Sequence, residues 1–155
     1  MKDLASKIGA RLKASRGMLV TAESCTGGWV ARVVTSVPGA SDWFERGFVP
    51  YSNASKSELL GVRSATLRRH GAVSEQAARE MALGALRKSR GTVALAITGV
   101  AGPTGGTAAK PVGMVCFAWA RGSKLRSETR RFRGDRESVR RKSAQHALQG
   151  VLKFL

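Results

Sequence analysis

Leu19-Val20-Thr21-Ala22-Glu23-Ser24-Cys25-Thr26-Gly27-Gly28-Trp29-Val30 is the stretch whose reading decides the fold. The apolar run Met18-Leu19-Val20 gives way to small polar residues, then two glycines, then a stripe of Trp29, Val30, Val33 and Val34. That order reads as a strand, a tight turn and the start of a helix. Ser24 then stands at the carboxyl end of a strand, beside backbone N–H groups that a helix N-terminus leaves unpaired. Such donors favour an anion, including an oxyanion that develops during a reaction. Gly27 and Gly28 allow positive φ and close approach of a ligand to the chain. Two roles are open to Ser24: a helix cap, which Ser and Thr commonly provide, or a reacting group. The turn is not the G-x-S-x-G elbow, because Ala22 and Thr26 occupy its glycine positions.

Working outward, Leu4, Ile8 and Leu12 recur every four residues and predict an amphipathic helix over residues 2–15, closed at Arg16-Gly17. The stripe after the turn predicts a helix to about Ser36, stopped by Pro38-Gly39. Glu45 to Tyr51 reads as a strand whose end Pro50 demotes to an edge or bulge. A short capped helix follows Tyr51 and stops at Gly61, a basic one covers Ser64 to His70, and Ser74 caps a longer one with a stripe of Ala78, Met81, Ala82, Ala85 and Leu86. Thr92 to Ile97 is continuously apolar, hence a strand covered on both faces. Val112 to Ala120 is another, joined by Arg121-Gly122-Ser123 to a more polar strand over Lys124 to Phe132. Asp135 caps the last helix.

Helices alternating with buried strands imply an α/β fold of three layers, a mixed sheet covered by helices on both faces. Ligands in such folds sit beyond the carboxyl ends of strands. Both the Ser24 turn and the glycine-rich loop Thr98-Gly99-Val100-Ala101-Gly102-Pro103-Thr104-Gly105-Gly106 fall at such ends, so one shared crevice is expected. That loop matches neither a P-loop nor a dinucleotide fingerprint.

With 155 residues, 43% of them hydrophobic, the chain is expected to be one domain spanning 1–155 with a core that needs no staples. No apolar run reaches the ~20 residues of a membrane span, and no signal-peptide core follows Met1, so a cytoplasmic protein with no membrane partner is expected. Cys25 and Cys116 have no metal-ligand spacing, and Cys116 falls inside an apolar strand as a core residue. The net charge of +17 raises the weight of a polyanionic partner. Ten of the 27 basic residues fall between Arg121 and Lys142, yet no helix-turn-helix, finger or base-stacking motif accompanies them. Any nucleic-acid binding is therefore expected to be unspecific.

The chain resembles the CinA C-terminal domain family, in particular its stand-alone nicotinamide-nucleotide amidase members. The resemblance rests on Thr-Ala-Glu-Ser-Cys-Thr-Gly-Gly (21–28), Trp-Phe-Glu-Arg-Gly-Phe-Val (43–49), Tyr-Ser-Asn…Lys (51–56), Leu-Gly-Val (60–62) and His-Gly-Ala-Val-Ser (70–74). It continues through Thr-Gly-Val-Ala-Gly-Pro-Thr-Gly-Gly (98–106), Lys-Pro-Val-Gly (110–113) and Gly-Asp-Arg…Val-Arg (134–140), in order over nearly the whole chain.

The resemblance implies hydrolysis of the carboxamide of nicotinamide mononucleotide to nicotinate mononucleotide and ammonia, with no cofactor and no metal. It implies Ser24 as nucleophile, with Lys56 and Tyr51 activating it. The residue types agree with that chemistry: an amide needs an activated nucleophile and an oxyanion site, and a Ser–Lys pair needs no histidine. His70 and His146 are expected to cap or pack. Substrate-binding positions are expected at Glu23, Cys25, Thr26, Gly27, Gly28, Thr98, Gly99, Ala101, Gly102 and Pro103, with Arg136 and Arg140 on the 5′-phosphate.

Each assignment has a plainer counterpart. Lys56 could be a solvated helix residue, Tyr51 a packing residue, Arg136 and Arg140 an exposed face, and Cys25 the nucleophile in place of Ser24. Pro50 stands where relatives usually carry a small polar residue, and Ala54 where close relatives often carry an acid. Pro50 lacks a backbone donor and restricts Val49, which bears on the setting of Tyr51. The metal-dependent pyrophosphatase activity of longer relatives is not expected, while a homo-oligomer is, with an isologous dimer the default. The competing reading is a weak or inactive family member that serves as a basic, competence-associated module for polyanions.

Overall fold

A computed structural model describes residues 1–155. The elements run in the order α1 (Lys2–Ala14), β1 (Leu19–Glu23), α2 (Trp29–Thr35), β2 (Phe44–Phe48), α3 (Asn53–Leu60), α4 (Ser64–His70), α5 (Glu75–Arg87), β3 (Val93–Gly99), β4 (Met114–Arg121), β5 (Lys124–Arg131) and α6 (Arg136–Phe154). A single 3-10 turn, Ala40–Asp42, occupies the stretch before β2. The β2 strand stops two residues before Pro50, earlier than its sequence suggests, because proline cannot donate to a ladder.

One five-stranded sheet has the order β2-β1-β3-β4-β5. β1 lies between β2 and β3 and is parallel to both, pairing Thr21 with Gly47 on one side and with Leu95 on the other. β4 runs antiparallel to β3 and to β5, so the sheet is mixed. The connection from β1 goes to one neighbour through α2, and the connection from β2 crosses back to the far neighbour through α3 to α5. The carboxyl end of β1 is thus the point where the winding changes direction, the usual seat of a ligand in an open α/β sheet. The ends of β1, β2, β3 and β5 all lie along this same edge, as does the start of α6.

Helices cover both faces, as expected. On one face α1, α2 and α6 bury Ile8, Leu12, Val34, Leu148 and Val151 against Leu19, Leu95, Phe117 and Trp119 of the sheet. On the other, α5 lays Ala78, Met81, Ala82 and Ala85 on Val20, Ala94, Ala96, Ala118 and Ala120. Small side chains on both sides bring α5 close to the strands. Gly84 brings it close to α3 too: a Cβ there would sit 2.0 Å from the Leu60 carbonyl oxygen. That approach fixes the helix that carries Lys56. Cys116 is a buried core residue, as its strand pattern predicts. No helix is long and apolar enough to cross a membrane.

Candidate active site

The last ladder bond of β1 runs from the Ser24 N–H to the Ile97 carbonyl, at 2.9 Å, and the chain then leaves the sheet. It turns through Gly27 at φ +60° and Gly28 at φ +91°, left-handed conformations that strain any residue with a Cβ. Gly28 is the N-cap of α2 and contributes no side-chain cap. Glu23 does that work from five residues upstream. Its carboxylate accepts from the N–H groups of Val30 and Ala31, each at 2.9 Å, and from the Thr26 hydroxyl at 2.7 Å. Ser24 therefore caps nothing, and its hydroxyl is left for another partner.

That partner is Lys56. The side chain is 2% exposed, and Nζ lies 3.1 Å from Ser24 Oγ, 3.0 Å from the Pro50 carbonyl oxygen and 3.2 Å from that of Tyr51. α3 aims it there from its first turns, with Ser52 and Ser55 forming a reciprocal capping box at the helix start. Burial lowers the pKa of the amine below the ordinary lysine value. A neutral amine has two N–H donors and one lone pair. In that form, with the donors given to the two carbonyls, the lone pair would be left to accept from the Ser24 hydroxyl, whereas the charged amine donates to all three oxygens. Pro50, which looks disruptive in the sequence, supplies only a carbonyl to this shell, and proline has one.

Ser24 itself is 6% exposed, at the floor of a cleft of about 310 Å³. Cys25, Tyr51, Lys56, Thr98, Gly99, Ala101, Gly102 and Arg136 line it with Ser24, so nine of the expected positions meet there. The N–H groups of Cys25 and Thr26 have no backbone acceptor, and neither do those of Ala101 and Gly102. Of these residues Cys25, Ala101 and Gly102 line the cleft, which thus has unpaired main-chain donors on two sides. Asn53, Ala72, Val73, Val100, Thr104 and Gly105 complete the lining. The motifs at 51–56, 70–74 and 98–106 contain all six, but neighbours in sequence give no sign of which residues turn inward.

Several expected roles are not those the structure gives. Both Glu23 oxygens are taken up by the start of α2, and the Thr26 hydroxyl is spent on Glu23, so neither side chain is offered to a substrate. Glu23, Thr26, Gly27, Gly28, Pro103 and Arg140 do not line the cleft. The Tyr51 hydroxyl does not reach Ser24: the side chain is 59% exposed and accepts from Arg136 Nη2 at 3.1 Å, while the Tyr51 main-chain carbonyl is what touches Lys56. Arg136 also donates from Nη1 to the Gly102 carbonyl, 2.7 Å away, and so spans the mouth of the cleft. Arg140 is not free for a phosphate in the expected way. It donates from Nε to the Cys25 carbonyl and from Nη2 to the Thr26 carbonyl, each at 3.1 Å, and its guanidinium lies 5.5 Å from the centre of the Trp29 ring.

The remaining titratable groups stand apart. Burial pushes the Cys25 thiol up to about 12, which keeps it in the thiol form at neutral pH. His146 packs on Phe117, Trp119 and Phe132 and pairs with Glu128, while the His70 carbonyl accepts from Lys110; neither imidazole lines the cleft. No group of three or more His, Cys, Asp or Glu is arranged to hold a metal ion. A buried serine bonded to a buried amine, beside unpaired N–H groups, can attack a carbonyl and hold the oxyanion that results.

The model of the CinA C-terminal domain family matches residues 1–155. The chain is 52% identical over 153 residues to the nicotinamide-nucleotide amidohydrolase PncC of Escherichia coli K12, covering 96% of this chain and 91% of that protein. It is 49% identical over 151 residues to the protein of that name from Pseudomonas putida, covering 97% and 94%. Among solved structures, the competence/damage inducible protein CihA of Agrobacterium tumefaciens superposes with a TM-score of 0.96 at 40% identity, covering 98% of this chain and 93% of that one.

Proposed function

The chain belongs to the CinA C-terminal domain family, and from that premise we propose that it is a nicotinamide-nucleotide amidase whose nucleophile is Ser24 and whose base is Lys56. The substrate is nicotinamide mononucleotide, and the products are nicotinate mononucleotide and ammonia. The observation that carries this reading is the 3.1 Å contact between Lys56 Nζ and Ser24 Oγ, with two main-chain carbonyls holding the amine.

In this mechanism the Lys56 amine takes the Ser24 hydroxyl proton as Oγ bonds to the carboxamide carbon. The carbonyl electrons move onto oxygen, where the unpaired N–H of Cys25 receives the charge. The carbon–nitrogen bond then breaks, and the proton on Lys56 passes to the departing nitrogen, which leaves as ammonia. Water attacks the acyl–Ser24 ester, again giving a proton to Lys56; the carbon–oxygen bond to Ser24 then breaks as Lys56 returns that proton to Oγ, and the acid so released loses its own proton to solvent and leaves as the carboxylate. One water is consumed per ammonia released. Tyr51 acts through its main-chain carbonyl, and its exposed ring borders the substrate's path.

The 5′-phosphate fits the mouth of the cleft, where Arg136 retains N–H donors beyond the two it spends on Gly102 and Tyr51. The unpaired N–H groups of Ala101 and Gly102 lie beside it. The 155 residues act as one catalytic domain, in the cytoplasm, in pyridine-nucleotide recycling. The test is product identity: purified protein, nicotinamide mononucleotide and no added metal. Equal yields of ammonia and nicotinate mononucleotide support the reading, whereas free nicotinamide as product would mean cleavage at the glycosidic bond and would refute it.

A further inference from the structure

We propose that Thr98 is the residue that tells substrate from product: its hydroxyl oxygen accepts from the carboxamide –NH2 and repels the carboxylate that replaces it. This rests on Ser24 acting as the nucleophile on a carboxamide.

The sheet register sets Thr98 beside Ser24. The last paired residues of β1 and β3 are Glu23 and Ile97, and the Ser24 N–H still bonds the Ile97 carbonyl at 2.9 Å. Thr98 is thus the next residue across from Ser24. Side chains alternate between the faces of a sheet. Ala22 and Ala96, two residues earlier on each strand, pack on the α5 side together with Cys116, the partner of Thr98 on β4. Ser24 and Thr98 therefore project from the same face of neighbouring strands, which lie about 5 Å apart. Both line the cleft, and Thr98 is 1% exposed.

An amide and a carboxylate both present an oxygen, but only the amide presents N–H donors. A site separates them with an acceptor that is not free to donate. A hydroxyl ordinarily does either. The Thr98 proton is committed: Oγ1 donates to the Ala72 carbonyl at 2.8 Å, and that carbonyl accepts from no other group of the chain. Only lone pairs remain for the cleft. The other side-chain oxygens of the lining stand elsewhere, since the Tyr51 hydroxyl accepts from Arg136 while Asn53 and Thr104 are exposed. An –NH2 next to Ser24 finds its partner at Thr98. A carboxylate oxygen there meets a second acceptor, unless the hydroxyl turns and leaves Ala72 unpaired. The amide is retained and the acid is pushed out.

The test measures, by calorimetry, the binding of nicotinamide mononucleotide and nicotinate mononucleotide to Ser24→Ala, which holds both without turnover. The same is done with Thr98→Val or Thr98→Ser added. Valine keeps the shape and removes the oxygen, while serine keeps the oxygen. Lys56 acts alike in all three proteins, so the ratio of the two affinities isolates Thr98. With valine the amide-to-acid ratio is expected to fall about tenfold, the amide binding more weakly and the acid more tightly. With serine it should stay within about threefold. In the enzyme that retains Ser24, Thr98→Val should lower kcat/KM on the amide about tenfold and also lower the inhibition constant of the acid. Equal weakening of both nucleotides would make Thr98 only a tether for the Ala72 loop, and weaker binding of the acid alone would make its hydroxyl a donor. Either result overturns the proposal, as does an unchanged ratio. Should Thr98→Val not fold, Thr98→Ala is read in the same way. If wild type releases no ammonia but the ratio still depends on Thr98, the proposed function fails and the role of Thr98 stands. Ammonia release with a ratio indifferent to Thr98 gives the reverse, and binding of neither nucleotide without ammonia release ends both.

Discussion

A lysine amine removed from water loses the hydration that sustains its charge, and Lys56 is almost wholly removed. Its lowered pKa has two consequences of fixed sign. The base must be neutral, so kcat/KM is expected to rise with pH along a limb centred below the ordinary lysine value of about 10.4. The native protein also binds fewer protons than the unfolded chain between the lowered pKa and that ordinary value, so Lys56 makes stability increase as pH rises through this window. A pH–rate profile and urea melts at several pH values check both, and in Lys56→Met the stability slope should flatten. Cys25 gives the opposite case: with its thiol raised to about 12, Cys25→Ala should keep most of the activity and the wild type should resist iodoacetamide at neutral pH. Measured inactivation by the reagent at a rate typical of an exposed thiol would count against this. At this scale the sequence was enough to bring Ser24, Lys56 and Arg136 to one cleft. The role of Arg140 was not, because its partners are main-chain carbonyls and no spacing rule points to them.

Each side chain of the proposed dyad depends on an element whose placement a neighbour controls. α3 holds Lys56, and Gly84 of α5 lets α3 approach. A methyl group at Gly84 must displace the Leu60 carbonyl, so Gly84→Ala is expected to cost about 1–3 kcal/mol. It should also lower kcat by shifting Lys56, which thermal melts and kinetics on one preparation would read together. β1 carries an opposite flaw. The Thr21 hydroxyl is buried with no hydrogen-bond partner, close to Gly47 of β2. Thr21→Val keeps the shape and removes the orphaned group, so it should stabilise by about 1 kcal/mol. In a chain this long that raises the melting temperature by about 2–4 °C. The hydrophobic periods announced most of these elements. They did not announce that Glu23 would cap α2, since a carboxylate reaching past a glycine turn has no local signature, and so Glu23 and Thr26 read as ligand positions.

At the scale of the whole molecule, alternating helices and buried strands pointed to the three-layer fold, and the switch in winding at β1 explains why two glycine loops share one cleft. The charge of +17 was equally plain in the sequence, but its distribution was not. Within the basic stretch from Arg121 to Lys142, Arg126 and Arg130 pair with Glu128, and Arg136 and Arg140 turn to the site. What remains acts at a distance: a cationic protein gathers an anionic nucleotide, and salt screens that attraction. Raising ionic strength from about 0.02 M to about 0.3 M should lower kcat/KM and leave kcat unchanged. The most direct test of the central claim is ammonia release from nicotinamide mononucleotide by wild type and Ser24→Ala, purified alike and assayed side by side without metal. The Ser24–Lys56 amidase predicts steady release by the wild type and a loss of at least about 10³-fold in the variant. Release at equal rates from both proteins would contradict it, and so would a folded wild type that releases none.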